Sequence, residues 1–354
     1  MVLSELTVGI LLAGFAGGVI GAAIGGLPAL SLAGLAIVAG ETVAILFPDL
    51  EGATILDVFG VEAATVEAVG ITATIGFGPV LGPHVAFAGG VAAAAYAGRK
   101  GTFDTTFRYH QAKQIAKPLG SSPAVLLVGG VFGLLGVLIA RLATGLSAPL
   151  DPIALAVVLS AFIHRLALGY PLVGRVRKTE RSILDMSPFE NSQYWGDEEN
   201  KTAQGTGGRH VVEPWQPEHY EWTNLAILGG GVGIGAGFVA VATGSAFLAF
   251  GLTLASLLFL AAGRYSMPVT HHMALPAGIA ALAVNVDPVA SLVVAGVFGL
   301  LGGLIGELAQ RVLYAHADTH LDPSFVSILV TSLLVGLLVT AGIFDAGPVP
   351  YPTI

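Results

Sequence analysis

A chain of 354 residues that is 54% hydrophobic, only 11% charged and of mean hydropathy +0.81 falls outside the range of water-soluble globular proteins. With no cysteine, disulfides and thiolate metal sites are excluded. The net charge of −8 is carried by acids gathered in loops, as in "FPDLEGATILDVFGVEAATVE" and "WGDEEN".

Apolar stretches approaching the ~20 residues that cross a hydrocarbon core of roughly 30 Å recur along almost the whole chain. They lie at about 6–27, 28–47, 71–98, 122–144, 152–170, 223–241, 243–262, 269–285, 288–312 and 323–343. The fold these imply is all-α: a polytopic integral membrane protein of about ten transmembrane helices. The opening "MVLSELTVGILLAGF" lacks a basic region and carries Glu5, so it reads as a first span rather than a cleaved signal. The first two spans come from splitting one long run at "GGLP", because a single helix of that length overshoots the membrane about twofold.

Basic residues orient the chain. With the N-terminus outside, the inner loops hold Arg99, Lys100, Arg108, Lys113, Lys117, Arg165, Arg175, Arg177, Lys178, Arg181, Lys201, Arg209, Arg264 and Arg311, whereas the outer loop 48–70 carries acids and no base. The positive-inside bias therefore places both termini outside a cell membrane.

The halves resemble each other. "GVFGLLGVLIARLAT" at 130–144 aligns without gaps on "GVFGLLGGLIGELAQ" at 296–310, and an Asp-Pro span start, "DPIALAVVLSAFI" or "DPSFVSILVTSLL", follows each. Five spans per copy is an odd number, so the second copy enters the membrane from the opposite side, giving inverted repeats. The expected organisation is repeat 1 over 1–170, a cytoplasmic linker over 171–221, inverted repeat 2 over 222–345 and a tail over 346–354. The linker, partly ordered at its aromatic end, reads as a solvated tether with Trp195, Trp215 and Trp222 at the membrane surface, with a regulatory or partner-docking element as the alternative.

"GFGPVLGPHVAFAGG" at 76–90 breaks its own helix, and "RYSMPVTHHMALPAGIAA" at 264–281 supplies a counterpart that superposes His84 on His272. Proline removes a backbone donor and glycine weakens a helix interior, and lipid cannot satisfy the groups they free. Breaks at 76–83 and 267–270 are therefore expected to face a hydrated cavity inside the protein. A restart at Pro83 suits proline in the first turn, and one after Thr270 suits a hydroxyl cap. Each restart points unpaired amides and partial positive charge at the cavity, which favours an anion or a carbonyl oxygen. Candidate solute-binding residues are His84, His272 and Thr270, with Gly82, Pro83 and His271 beside them; a structural histidine bonded to a backbone carbonyl is the alternative. No carboxylate at ligand spacing accompanies the histidines, so no metal is assigned.

Arg141 and Glu307 occupy matched positions in the 130–144 and 296–310 segments and are candidate gating or steering charges, with snorkelling as the plainer account. Glycines at 14, 18, 21 and 25 and at 229, 233 and 237 make faces for close helix packing, within the monomer or along the seam of a homo-oligomer. "GGGVGIGAG" lacks the preceding strand of a dinucleotide site, "HADTH" at 316–320 reads as a solvated loop, and no Walker lysine motif occurs. The loop histidines His110, His164, His210 and His219 form no reactive constellation, so no enzyme, cofactor or nucleic acid is expected. The partners implied are the lipid bilayer and a small solute or ion. The function implied is a secondary transporter for a small polar or anionic solute, with a channel of the same architecture and a non-transporting scaffold as alternatives. Loop acidity with few lysines points to a halophilic archaeal source.

Overall fold

The computed structural model describes residues 6–47, 70–101, 109–176, 182–194, 209–264 and 266–351. Glu5, the acidic stretch 48–69, Arg108, Arg177, Lys178, Arg181, Trp195, Lys201 and the last residues of the tail lie outside the described residues. The described residues form ten main helices and their connections: α1 (Val8–Ile24), α2 (Gly26–Leu46), α3 (Ala88–Lys100), α4 (Pro123–Gly145), α5 (Pro152–Ala167), α6 (Trp222–Thr243), α7 (Ala246–Ala261), α8 (His271–Ala283), α9 (Pro288–Tyr314) and α10 (Pro323–Thr340).

Five of these, α2, α4, α6, α9 and α10, are long and apolar enough to cross a membrane, fewer than the ten expected spans. The others occupy the expected segments but are shortened by their own sequence. α1, α5 and α7 are apolar helices of 10–17 residues. α3 and α8 have 13 residues each, a length of roughly 20 Å, because Gly- and Pro-containing lead-ins stop the helix within the hydrophobic stretch.

Capping follows Asp-Pro pairs, two of them read from the sequence as span starts. Asp151, Asp287 and Asp322 each accept amide hydrogen bonds at the starts of α5, α9 and α10, with proline as the first helical residue. Thr7 does the same for α1 through its hydroxyl.

Helix association in an apolar solvent rests on close backbone approach rather than on the hydrophobic effect, and glycine provides it twice in the same form. α1 crosses α4 where a Cβ on Gly133 would lie 2.7 Å from Gly18 Cα; α6 crosses α9 where a Cβ on Gly299 would lie 2.5 Å from Gly233 Cα. α3 and α8 then pack on α4 and α9 through equivalent glycines: Gly136 lies against the His84 carbonyl and Gly302 against the His272 carbonyl. The halves meet where α2 packs on α7, with Gly34 against Leu254 and Gly251 against Ile37. They meet again where α5 packs on α10 and the Asp151 amide donates to Ser332 Oγ at 2.9 Å.

Two ends of the bundle are distinguishable. At one, the α1–α2 turn, residues 109–122, the segment 209–221 and the α9–α10 connection converge; this is the linker end. The opposite end carries residues 70–76, the α4–α5 turn and the start of α7.

Candidate functional site

Before α3 the chain makes one wide turn, Thr72–Gly76, passes through residues 77–82 and resumes as a second wide turn, Pro83–Phe87, that runs into the helix. The break expected at 76–83 is present. Phe77 anchors it on α7, edge-on to Phe247 with centroids 5.0 Å apart and stacked on Phe250 at 6.0 Å. Gly82, Pro83 and His84 are buried, and His84 Nδ1 has no hydrogen-bond partner.

The second lead-in differs from its expected form. α7 ends before Gly263, which takes a positive φ of 86°, and residues 264–270 connect to α8 as irregular chain. The stretch 267–270 is thus a connection between helices rather than a break inside one. Thr270 stands at the N-cap position, but its hydroxyl makes no capping bond; with φ −126° and ψ −2° it lacks the extended conformation of a cap. Its carbonyl instead accepts from the amides of Met273 and Ala274 at 3.0 and 3.1 Å. The helix tip is therefore formed by the amides of His271 and His272, and both side chains are buried.

Three imidazoles cluster at this tip. His271 and His272 have ring centroids 5.8 Å apart, and His219 from the linker lies 6.0 Å from His272. Neither ring nitrogen of His219, His271 or His272 has a protein partner. His272 turns Nε2 toward Gly306, where a Cβ would stand 2.7 Å away. His271 faces Phe250 and Phe325 at 6.1 and 5.8 Å, and Phe325 is 5.7 Å from Phe87 in the first turn after Pro83. The two helix tips are thus joined by aromatic side chains. Among the described residues no ring contact joins His84 to His271 or His272.

The end of the linker, 209–221, is not part of the solvated tether expected over 171–221. It inserts into the linker end of the bundle, with Val212, Glu213 and His219 fully buried. Glu213 pairs with Lys113 at 2.7 Å, both side chains at 0% exposure, and with Arg209, which also holds Asp318 at 2.8 Å. The His110 amide donates to Glu213 Oε1 at 3.0 Å, and the Glu213 amide to the Ala315 carbonyl at 3.0 Å. The Gln216 backbone amide donates to Gln310 Oε1 at 2.6 Å, and Gln216 Nε2 donates to Ser324 Oγ at 2.9 Å. Trp215 packs edge-on to His320 at 4.8 Å instead of lying at a membrane surface. Physical complementarity explains the insertion: a polar segment fills a polar recess that lipid could not.

Charges in this seat are shifted by burial. The Lys113 ammonium is pushed down to about 8 by burial, opposed by the Glu213 carboxylate. Burial holds the His219 imidazole down at about 4; burial together with the Arg209 charge does the same to His110, also to about 4. The loop "HADTH" is likewise buried, not solvated: His316 Nε2 lies 2.9 Å from the Ile183 carbonyl and His320 Nε2 lies 3.3 Å from Asp322 Oδ2.

Glu307 does not stand free at a mouth. It is fully buried, receiving Gln310 Nε2 at 2.6 Å and Arg311 Nε at 2.7 Å. Arg141, its sequence counterpart, is half-buried in the last two turns of α4. Arg165, counted among the loop cations, is wholly buried and ties the end of α5 to the α9–α10 connection by donating to Thr319 Oγ1, Leu172 O, Leu313 O and Thr319 O. Among the described residues no group of three or more His, Asp or Glu side chains is disposed to hold a metal ion.

Sequence reasoning missed His219, because nothing local ties "PEHYEW" to a helix start 50 residues on. It also passed over Glu41, whose signal was plain: a single acid within the apolar run of α2. No curated protein and no solved structure matches the chain. A family model does, over residues 1–352, and the chain belongs to that family, a family of unknown function (DUF7973).

Proposed function

We propose that the protein is a secondary transporter of a small polar or anionic solute, built from two inverted five-span repeats, 1–170 and 222–345, with both termini outside the cell membrane. The observation that carries this reading is the set of buried, unpartnered imidazoles at two helix tips within the hydrophobic stretch. A buried polar atom left unpaired costs about 1–3 kcal/mol, so three adjacent rings with every nitrogen unpaired suit a polar ligand that completes them. The amides of His271 and His272 add donors and partial positive charge. Neutral imidazole both donates and accepts, so it serves an anion and its conjugate acid alike. The matched glycine contacts of α1–α4 with α6–α9, and of α3–α4 with α8–α9, support the duplication. The linker segment 209–221 is seated in one end of the bundle with His219 buried against His272, which favours a carrier that exposes its site alternately over a continuously open channel.

The test uses the full-length protein in liposomes loaded with the potassium salts of chloride, nitrate, formate or acetate, or with urea as a neutral probe. Saturable flux of at least one of these is expected. His84→Ala and His272→Ala should each lower it by at least about tenfold, a loss of roughly 1.4 kcal/mol in the rate-determining step, whereas His316→Ala should leave it largely intact. Equal losses in all three variants would remove the site assignment, and unitary ohmic currents would convert the transporter into a channel.

A further inference from the structure

Glu41 lies in the last two turns of α2, 7% exposed, and the solute site makes no use of it. Intramembrane carboxylates are costly and usually functional. Both of its oxygens are engaged by hydroxyls. Ser245 Oγ accepts the amides of Phe247 and Leu248 at the start of α7, at 3.2 and 3.1 Å, so its own proton is directed to Glu41 Oε2. Thr72 Oγ1 has two acceptors in reach: Glu41 Oε1 at 2.7 Å and the Ile37 carbonyl at 3.4 Å. Gly40 makes this possible, since a Cβ there would stand 2.5 Å from the Thr72 amide nitrogen.

We propose that Glu41 is a proton-binding site that couples the carrier to proton movement, a proposal that rests on the transporter reading. The hydroxyl pair accommodates both charge states. When the carboxylate is ionised, Thr72 and Ser245 both donate to it. When hydronium delivers a proton, its O–H bond breaks as one forms on Glu41 Oε1; that O–H donates to Thr72 Oγ1, and Thr72 turns its own hydrogen to the Ile37 carbonyl. Release reverses the step. No other covalent bond changes, and neither state strands a buried donor.

The segments packed around this carboxylate, 70–82, the end of α6 and the start of α7, contain no Lys, Arg, His, Asp or Glu, and Glu41 is the sole ionisable residue of α2. Among the described residues its charge is therefore met by hydroxyl dipoles alone. Its position gives the proton leverage. Glu41 and Thr72 belong to the first half of the chain and Ser245 to the second. Thr72 opens the turn that leads through Phe77 to His84, and Phe77 rests on Phe247 and Phe250 just beyond Ser245. Protonation thus acts on the lead-in to one solute-facing helix tip and on the contact between halves.

The experiment uses full-length protein in lipid bilayers with the proton itself as probe. Infrared difference spectra across a pH titration should show a protonated-carboxyl stretch of a buried acid that disappears on deprotonation. Glu41→Gln should abolish that band, and Thr72→Val should displace it. A band unchanged in Glu41→Gln, or none in the wild type, overturns the proton site. In parallel, proteoliposomes with an entrapped pH dye and an imposed acetate or nitrate gradient report coupling. Wild type should move protons with solute, and Glu41→Gln should carry solute with proton movement reduced at least about tenfold. Titration of Glu41 without flux of any probe removes the transporter reading and leaves the proton site standing; saturable flux with equal proton coupling in both proteins does the reverse.

Discussion

His219 and His110 are held neutral by burial, and in each case that neutrality has a structural use. His110 Nδ1 accepts the Ala112 amide at 3.1 Å, which an imidazolium could not do, and His219 lies against His272 with no counter-charge. Both are held at about 4 in the folded protein, below their ordinary 6.5. The unfolded or unseated segment therefore binds more protons than the seated one between these values. The stability these groups contribute is complete above pH 6.5 and is lost as pH falls toward about 4. Hydrogen exchange of residues 209–221, corrected for intrinsic rate, should show progressively easier opening across that window. His219→Gln should flatten the dependence; an unchanged profile would show that His219 does not bear on the seat. At this scale the sequence was legible where chemistry is local. Pro83 in a first helical turn, Asp-Pro caps and the buried state of His84 and His272 follow from the residue and its neighbours. The bonding of Thr270, Glu307 and His219 was not, because backbone conformation or partners far along the chain decide it.

The segment 209–221 behaves as an element of the core although it has almost no regular structure. Its charge pair, Lys113 with Glu213, is completely desolvated, and such a pair resists the loss of one member far more than the loss of both. Glu213→Gln leaves the Lys113 ammonium buried against an amide and should cost about 3–5 kcal/mol, read as a lowered thermal midpoint in detergent. Lys113→Met with Glu213→Gln should recover most of that cost. Strict additivity of the single variants would mean that the pair is uncoupled. Helix positions in the chain were readable from hydropathy, since each expected segment contains one of the helices. Helix lengths were legible only where Gly and Pro mark the interruption, before α3 and α8, and not for the short α1, α5 and α7; the polar linker was misplaced because hydropathy alone cannot distinguish a segment that meets water from one that meets other polar groups.

For the molecule as a whole, the likeness of the halves at "GVFGLLG" has a counterpart in three dimensions, since α1 with α4 and α6 with α9 cross on glycines at matched positions. The orientation that follows from loop charge is directly testable because the chain has no native cysteine. Lys117→Cys, at the linker end, and Leu146→Cys, 69% exposed at the other end, should react with an impermeant maleimide from opposite faces of a sealed vesicle. Reaction of both from one face would refute the arrangement of spans.

Insertion of the linker also imposes an order on biosynthesis. Glu213 and Gln216 find their recipients in residues made much later: Gln310 comes 94 residues after Gln216, and Ser324 comes 108 after it. At about 5–20 residues per second, a ribosome takes about 5–20 seconds to reach them. During that interval Lys113 and Glu213 belong to an unfinished, half-emerged chain whose polar recess has no floor. Truncations that end before the α9–α10 connection should therefore be degraded in the cell while the complete polypeptide survives.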